Sequence, residues 1–183
     1  YEIILVEDGS VDNTLEVIKE IVKGNNSIRY IKFARNFGKE SAIHAGLINA
    51  KGKAVVVMDA DLQHPPELLK RFYKYWESGE FKIIEAVKKY NSKGNFISKL
   101  ISRLFNYIML KLSGLKMEGA SDYKFMDRVV VDDILSMPER NRFFRGLVKW
   151  TGYKTKQIFF EVPSRIGGTS KWSKVSLFKL SIS

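Results

Sequence analysis

The sequence predicts an α/β fold in which a mostly parallel sheet carries helices on its faces. Short β-branched runs alternate with segments of helical periodicity, and glycines or prolines punctuate the joins. Acidic clusters follow the first and third of those apolar runs, at the sheet edge where open α/β folds bind ligands.

The elements follow in order. "YEIILV" is a first strand ending at "EDGS", and "SVDNTLEVIKEIVKG" is a helix on which Val11, Leu15, Ile18 and Val22 recur at helical spacing. A Ser/Asp-rich start supplies its caps, and Gly24 sits past its end. "IRYIKFA" is a second strand, "KESAIHAGLINAKG" a second helix closed by glycine, and "AVVVM" a third strand. "PPELLKRFYKYWESG" is a third helix with proline in its first turn, and "KIIEAV" a fourth strand. The pattern then changes. "NFISKLISRLFNYIMLKLSG" reads as a long helix with Phe96, Leu100, Leu104, Tyr107 and Ile108 on one face. "VVVDDILSMPE" is a further helix and "KQIFFEV" a late strand.

With 183 residues, 45% of them apolar and 28% charged, the chain suits a single domain with a real core. It has no cysteine, which excludes disulfides and thiolate metal sites. No apolar run approaches the roughly 18 to 20 residues of a membrane span. The chain opens directly on a strand, so the expectation is a single domain over 1–183 that lacks residues upstream. The formal net charge is +11. Between Lys82 and Lys116 the only acidic residue is Glu85, and between Arg140 and Lys179 only Glu161. Such a field suits a polyanion: nucleic acid, an anionic membrane face or a phosphorylated substrate. The long helix combines a broad apolar face with lysines, as a helix lying on an anionic membrane would.

The stretch "VMDADLQH" concentrates the chemistry. In extended backbone, residues i and i+2 point the same way, so Asp59 and Asp61 can aim at one point. Two convergent carboxylates suit a hard divalent cation such as Mg²⁺ or Mn²⁺, and Gln63 offers a further oxygen. The alternative is a pair of solvated cap aspartates ahead of "PPELL". Arg35 and Lys39 flank Gly38 at a helix start, where free N–H groups and positive charge suit a phosphate; a solvated loop is the alternative. His44, in mid-helix, reads as a structural histidine. His64 could reach the acidic pair or serve as a turn residue.

"VEDGSVDNT", "ARNFGKESAIHAGL" and "VMDADLQHPPE", in this order and spacing, resemble the family 2 glycosyltransferases of the GT-A fold, whose sheet is Rossmann-like. "DADLQ" and "RNFGK" look most like the polyprenyl-phosphate branch, and "GASDYKFMDR", "RNRFFRGLVKWTGY" and "RIGGTSKW" are similar to its bactoprenol type. The resemblance implies a metal-dependent, inverting glycosyltransferase. Its donor would be a nucleotide-diphosphate sugar, UDP-linked in preference to GDP-linked, and its acceptor a polyprenyl phosphate at the cytoplasmic face of a membrane. By the same resemblance Asp8 holds the nucleotide, Asp59 and Asp61 hold the metal and the diphosphate, and Gln63 is a further ligand. Asp122 matches the residue usually cast as catalytic base, and Arg165, Ser170 and Lys171 fall in an element whose groups meet the acceptor phosphate. Glu7 stands where an aspartate is common. The family's opening strand and the transmembrane hairpin that often follows "SKW" are not in the sequence.

Chemistry qualifies one of these roles. A phosphomonoester has its second pKa near 6, so an acceptor phosphate is largely dianionic at neutral pH and hardly needs a base. Asp122 is therefore expected to orient rather than to deprotonate. A soluble saccharide acceptor is the rival reading, since a sugar hydroxyl would need that base. A nucleic-acid-binding module rests on charge alone, and acidic clusters at the ligand edge argue against it. Homo-oligomerisation is left open.

Overall fold

The computed structural model describes residues 1–89, 121–139 and 142–161, together with Lys111. The long helix expected at 95–114 lies, Lys111 apart, outside the described residues, as do Arg165, Ser170 and Lys171.

The first half of the chain follows the expected alternation. Strand β1 (Ile3–Glu7), helix α1 (Thr14–Lys23), strand β2 (Ile28–Lys32), helix α2 (Lys39–Asn49), strand β3 (Ala54–Val57), helix α3 (Leu68–Glu77) and strand β4 (Ile83–Lys88) appear in that order. β1 and β2 pair in parallel, from Ile3 opposite Ile28 to Glu7 opposite Lys32. Leu15, Ile18 and Val22 form the half-buried face of α1, but Val11 lies before the helix and is fully exposed. The Asp12 side chain accepts from the Thr14 amide and hydroxyl and so starts the helix. Glycine does not close α2, which stops at Ala50 as the backbone turns extended.

The second half departs from the alternation. Strand β5 (Lys124–Asp127), helix α4 (Arg128–Ser136), helix α5 (Phe144–Trp150) and strand β6 (Thr155–Phe160) complete the described chain. The four-stranded sheet has the order β3-β5-β4-β6. β4 and β6 are parallel, whereas β5 runs antiparallel to both β3 and β4. The sequence pattern gave no sign of β5. "KFMD" is too short to show a period, and it runs without a turn signal into the α4 helix, which the Asp127 carboxylate caps at the Val129 amide.

Period-2 alternation then sorts the core onto the two faces of this sheet. Ile83 and Met126 join Leu47, Val130, Val131, Ile134, Phe144, Leu147 and Val148 under α2, α4 and α5. Ile84, Ala86, Phe125, Ile158 and Phe160 face the other way, against Leu68 and Phe72 of α3. Both faces are therefore covered, as parallel-type sheets require.

Candidate active site

The register of β5 builds the site. Val57 pairs with Lys124, and continuing that antiparallel register past the ends of both strands sets Asp59 opposite Asp122. Two residues far apart in sequence thus meet at the sheet rim, beside the start of α2. There Lys39 Nζ lies 2.7 Å from both carboxylate oxygens of Asp59 and 2.7 Å from Asp122 Oδ2. Arg145, on α5, grips Asp122 through two parallel bonds, Nε to Oδ1 and a terminal nitrogen to Oδ2, each 2.7 Å. That fork is the strong, directional form of an ion pair.

The charges respond to this arrangement. Burial opposes ionisation of Asp122, but the hydrogen bonds and charge of Arg145, with those of Lys39, outweigh it and hold the carboxyl well below the usual carboxylate range. Burial likewise works against the Lys39 ammonium, and Asp122 more than restores it, so its pKa is raised. Glu40, next along α2, is pushed up by burial, although its carboxylate accepts from the Phe144 amide at 2.8 Å.

The other expected residues take distinct places. Asp8 accepts from the amides of Phe37 (2.7 Å) and Gly38 (3.0 Å). Asp8 thus takes the two amides just ahead of the helix, Phe37 and the N-cap Gly38, and ties that loop to the end of β1. Gly9 makes this possible: its φ is +72°, and a Cβ there would stand 2.5 Å from the Asn36 amide. Arg35 lies over the Phe37 ring, 4.3 Å from its centroid, rather than beside Lys39. Asp61 is exposed and accepts from the Gln63 amide at 3.1 Å, while the Gln63 side-chain oxygen accepts from Lys88 at 3.1 Å. Between them Leu62 adopts a left-handed φ of +62° and leaves its side chain exposed.

His64 is buried and stacks on Tyr123 at 4.8 Å between ring centroids. Its Nδ1 accepts from the Asp59 amide at 3.0 Å, so that nitrogen supports the Asp59 loop instead of facing a ligand. Burial lowers its pKa. His44 is structural too, with Nδ1 3.1 Å from an Arg142 guanidinium nitrogen that also reaches the Ile134 carbonyl.

Among the described residues no three His, Asp or Glu side chains surround a common point. The donors that remain, Asp59, Asp61 and Gln63, are all oxygen ligands and match the chemistry of Mg²⁺ or Mn²⁺. Asp59 is about one-third exposed and shares its cation with Asp122, so a divalent ion could replace Lys39 there while Lys39 kept its second partner. The residues fit a metal on those terms. Arg145 was missed in the sequence. The signal available was a lone cation inside the apolar run "FFRGLV", which periodicity alone cannot assign to a partner.

Residues 1–135 match the model of Glycosyl transferase family 2. The chain belongs to that family. It is 43% identical over 180 residues to the Bacillus subtilis protein CsbB, covering 97% of this chain and 54% of that protein. It is 33% identical to the prophage bactoprenol glucosyl transferase homolog of Escherichia coli, covering 99% of this chain and 59% of that protein. The family 2 domain described here thus spans just over half the length of these relatives. Among solved structures it resembles glucosyl-3-phosphoglycerate synthase of Mycobacterium tuberculosis in complex with Mn²⁺, UDP and phosphoglyceric acid. The TM-score is 0.67 at 17% identity, over 99% of this chain and 64% of that one. A Pyrobaculum calidifontis mannosyltransferase in complex with GDP-Man and Mn²⁺ gives 0.60 at 17% identity, over 91% and 48%. These neighbours establish the GT-A fold.

Proposed function

We propose that this family 2 domain carries out inverting transfer of a sugar from a nucleotide-diphosphate sugar, UDP-linked in preference to GDP-linked, to a polyprenyl phosphate at a membrane surface. One observation carries the reading of the acceptor: Asp122 is clamped by Arg145 and Lys39, and its carboxyl is held well below the usual range. A carboxylate so stabilised is a poor general base, because the proton it would accept has to compete with two cations. A sugar hydroxyl needs such a base, and a phosphate dianion does not. Relatives named as bactoprenol glucosyl transferases support the same choice.

In this reading Asp59, Asp61 and Gln63 would hold Mg²⁺ or Mn²⁺, which would supply electrostatic stabilisation for the leaving diphosphate. Asp8 fixes the loop ahead of α2, on which the nucleotide would rest. Arg35, like Lys39, supplies positive charge for the donor. Asp122 orients the Arg145 guanidinium, and Lys39 with Arg145 offers cations to the acceptor phosphate as it approaches the anomeric carbon. Arg165, Ser170 and Lys171 would complete the acceptor site. Among the described residues no helix is long and apolar enough to cross a membrane. The basic charge of the chain suits contact with an anionic lipid surface.

The test is transfer of radiolabelled sugar by the full-length protein to undecaprenyl phosphate in vesicles, with Mn²⁺ and with EDTA. Label extracted into organic solvent only when Mn²⁺ is present is the expected result. Label appearing solely in a water-soluble saccharide would replace the acceptor, and no transfer from any UDP- or GDP-sugar would remove the reading.

A further inference from the structure

Glu85 is the single acid in a long basic stretch, and it is fully buried in the middle of β4. Strand pairing sets Lys124 of β5 and Gln157 of β6 on either side of it. Its Oε1 accepts from Lys124 Nζ and from the Ser121 amide at 3.0 Å. Its Oε2 lies 3.6 Å from Lys149 Nζ and 3.4 Å from the Gln157 amide nitrogen. Burial works against the charge of Glu85, and the two lysines with the Ser121 amide outweigh it.

These contacts converge on the site from below. Ser121 precedes Asp122, and its hydroxyl accepts from the Tyr123 amide at 3.0 Å, so the backbone on both sides of Asp122 is pinned. Lys149 lies one helical turn beyond Arg145 on α5. One face of that helix therefore sends a cation to Asp122 and another to Glu85. Stability does not explain this cluster, since replacing a buried ion pair by apolar residues of similar size is often neutral or stabilising. A hydrophobe at position 85 could fill the space, but it could not hold the Ser121 amide and α5 at fixed points.

We propose that Glu85 is a positioning residue for the transfer reaction: from beneath the site it fixes the geometry at which Asp122 and Arg145 meet the acceptor. The inference rests on the glycosyl transfer proposed above. Glu85 touches neither substrate and acts through the Ser121 amide and Lys149.

The test removes the buried pair as a unit, with Glu85→Leu/Lys124→Met, and separately loosens the helix with Lys149→Met, whose side chain is partly exposed and whose loss spares the core. The double variant should melt within about 5 °C of the wild type. Its kcat/KM for the polyprenyl phosphate should fall roughly 10- to 100-fold while the donor KM is unchanged, the scale expected for a displacement near 1 Å. In an Asp122→Asn background the same change should add less than about twofold, because both act through one group. A crystal structure of the double variant should show the Arg145–Asp122 bonds lengthened or lost. Lys149→Met should give smaller changes in the same direction, and it carries the test by itself if the double variant does not fold. Either readout remaining at its wild-type value overturns the proposal. If the wild type transfers no sugar, the functional reading fails, and the Arg145–Asp122 geometry in the double variant decides whether Glu85 positions that pair.

Discussion

Two acidic segments meet at the rim of the sheet, and they are held in opposite ways. The Asp59–Asp61 loop is open. Asp59 is about one-third exposed and has Lys39 as its ion-pair partner, Asp61 closes a local turn at the surface, and Leu62 sits in a left-handed conformation. The Asp122 segment is closed. Its carboxylate is almost entirely buried, gripped by Arg145 and Lys39, and braced from behind by Glu85. Residues of one type thus sit in different settings: the first segment is half-open and paired to one lysine, as the proposed exchange of that cation for a metal and a diphosphate requires, and the second is buried and doubly paired. Lys39 belongs to both.

The largest expected effect breaks the open half. Asp61→Ala should cut kcat/KM for the donor by about 100-fold or more, as removal of one electrostatic contact at a reacting group does. Calorimetry should then show nucleotide affinity that no longer depends on Mn²⁺. Next comes the closed half. Asp122→Asn should raise the KM for the acceptor about tenfold, the cost of losing a charged contact, with donor affinity intact. Loss of turnover with both affinities preserved would instead mark Asp122 as a base. The same variant has a pH signature. Because the folded pKa of Asp122 lies below its ordinary 3.8, its stabilising contribution is present above that value and is lost as pH falls toward the folded one. The melting-temperature gap between wild type and Asp122→Asn should therefore be constant from pH 7 to about 5 and narrow below about 4.

A smaller change sharpens the role of the shared lysine. Lys39→Met should tighten Mn²⁺ binding to the nucleotide-free protein by about fivefold, or ~1 kcal/mol, since a neighbouring cation no longer competes for Asp59. Unchanged or weaker Mn²⁺ affinity in calorimetry would mean that metal and ammonium do not contend for one carboxylate. The smallest effect concerns the loop itself. Leu62→Gly should alter stability by less than about 1 kcal/mol, because relief of the left-handed backbone is offset by the flexibility of glycine. Chemical denaturation would measure it.

The open region was largely readable in the sequence and the closed one was not. Glycines and prolines marked the ends of β1, β3 and α3, and i, i+2 spacing in "DADLQ" put the acids at a strand end. Asp122 could be named from its motif, but its partner could not. Arg145 lies on a seven-residue helix too short to show a period, and nothing local connects it to position 122. The hold of Asp8 on the loop ahead of α2 was not legible either, a contact made across 29 residues of sequence. Glu85 read as an ordinary strand residue until two neighbouring strands brought Lys124 and Gln157 against it.

Taken alone, the sequence determined the alternation of strands and helices through Lys88, the absence of cysteine chemistry, the basic surface and the family. All of these follow from local periodicity, composition or motif order, which need no knowledge of what lies across the sheet. The tertiary structure decided that β5 enters antiparallel between β3 and β4, and with it that Asp59 faces Asp122 over a shared lysine. Strand register is a long-range property: it is fixed by which face each side chain buries against helices elsewhere in the chain, and no short window of residues carries it.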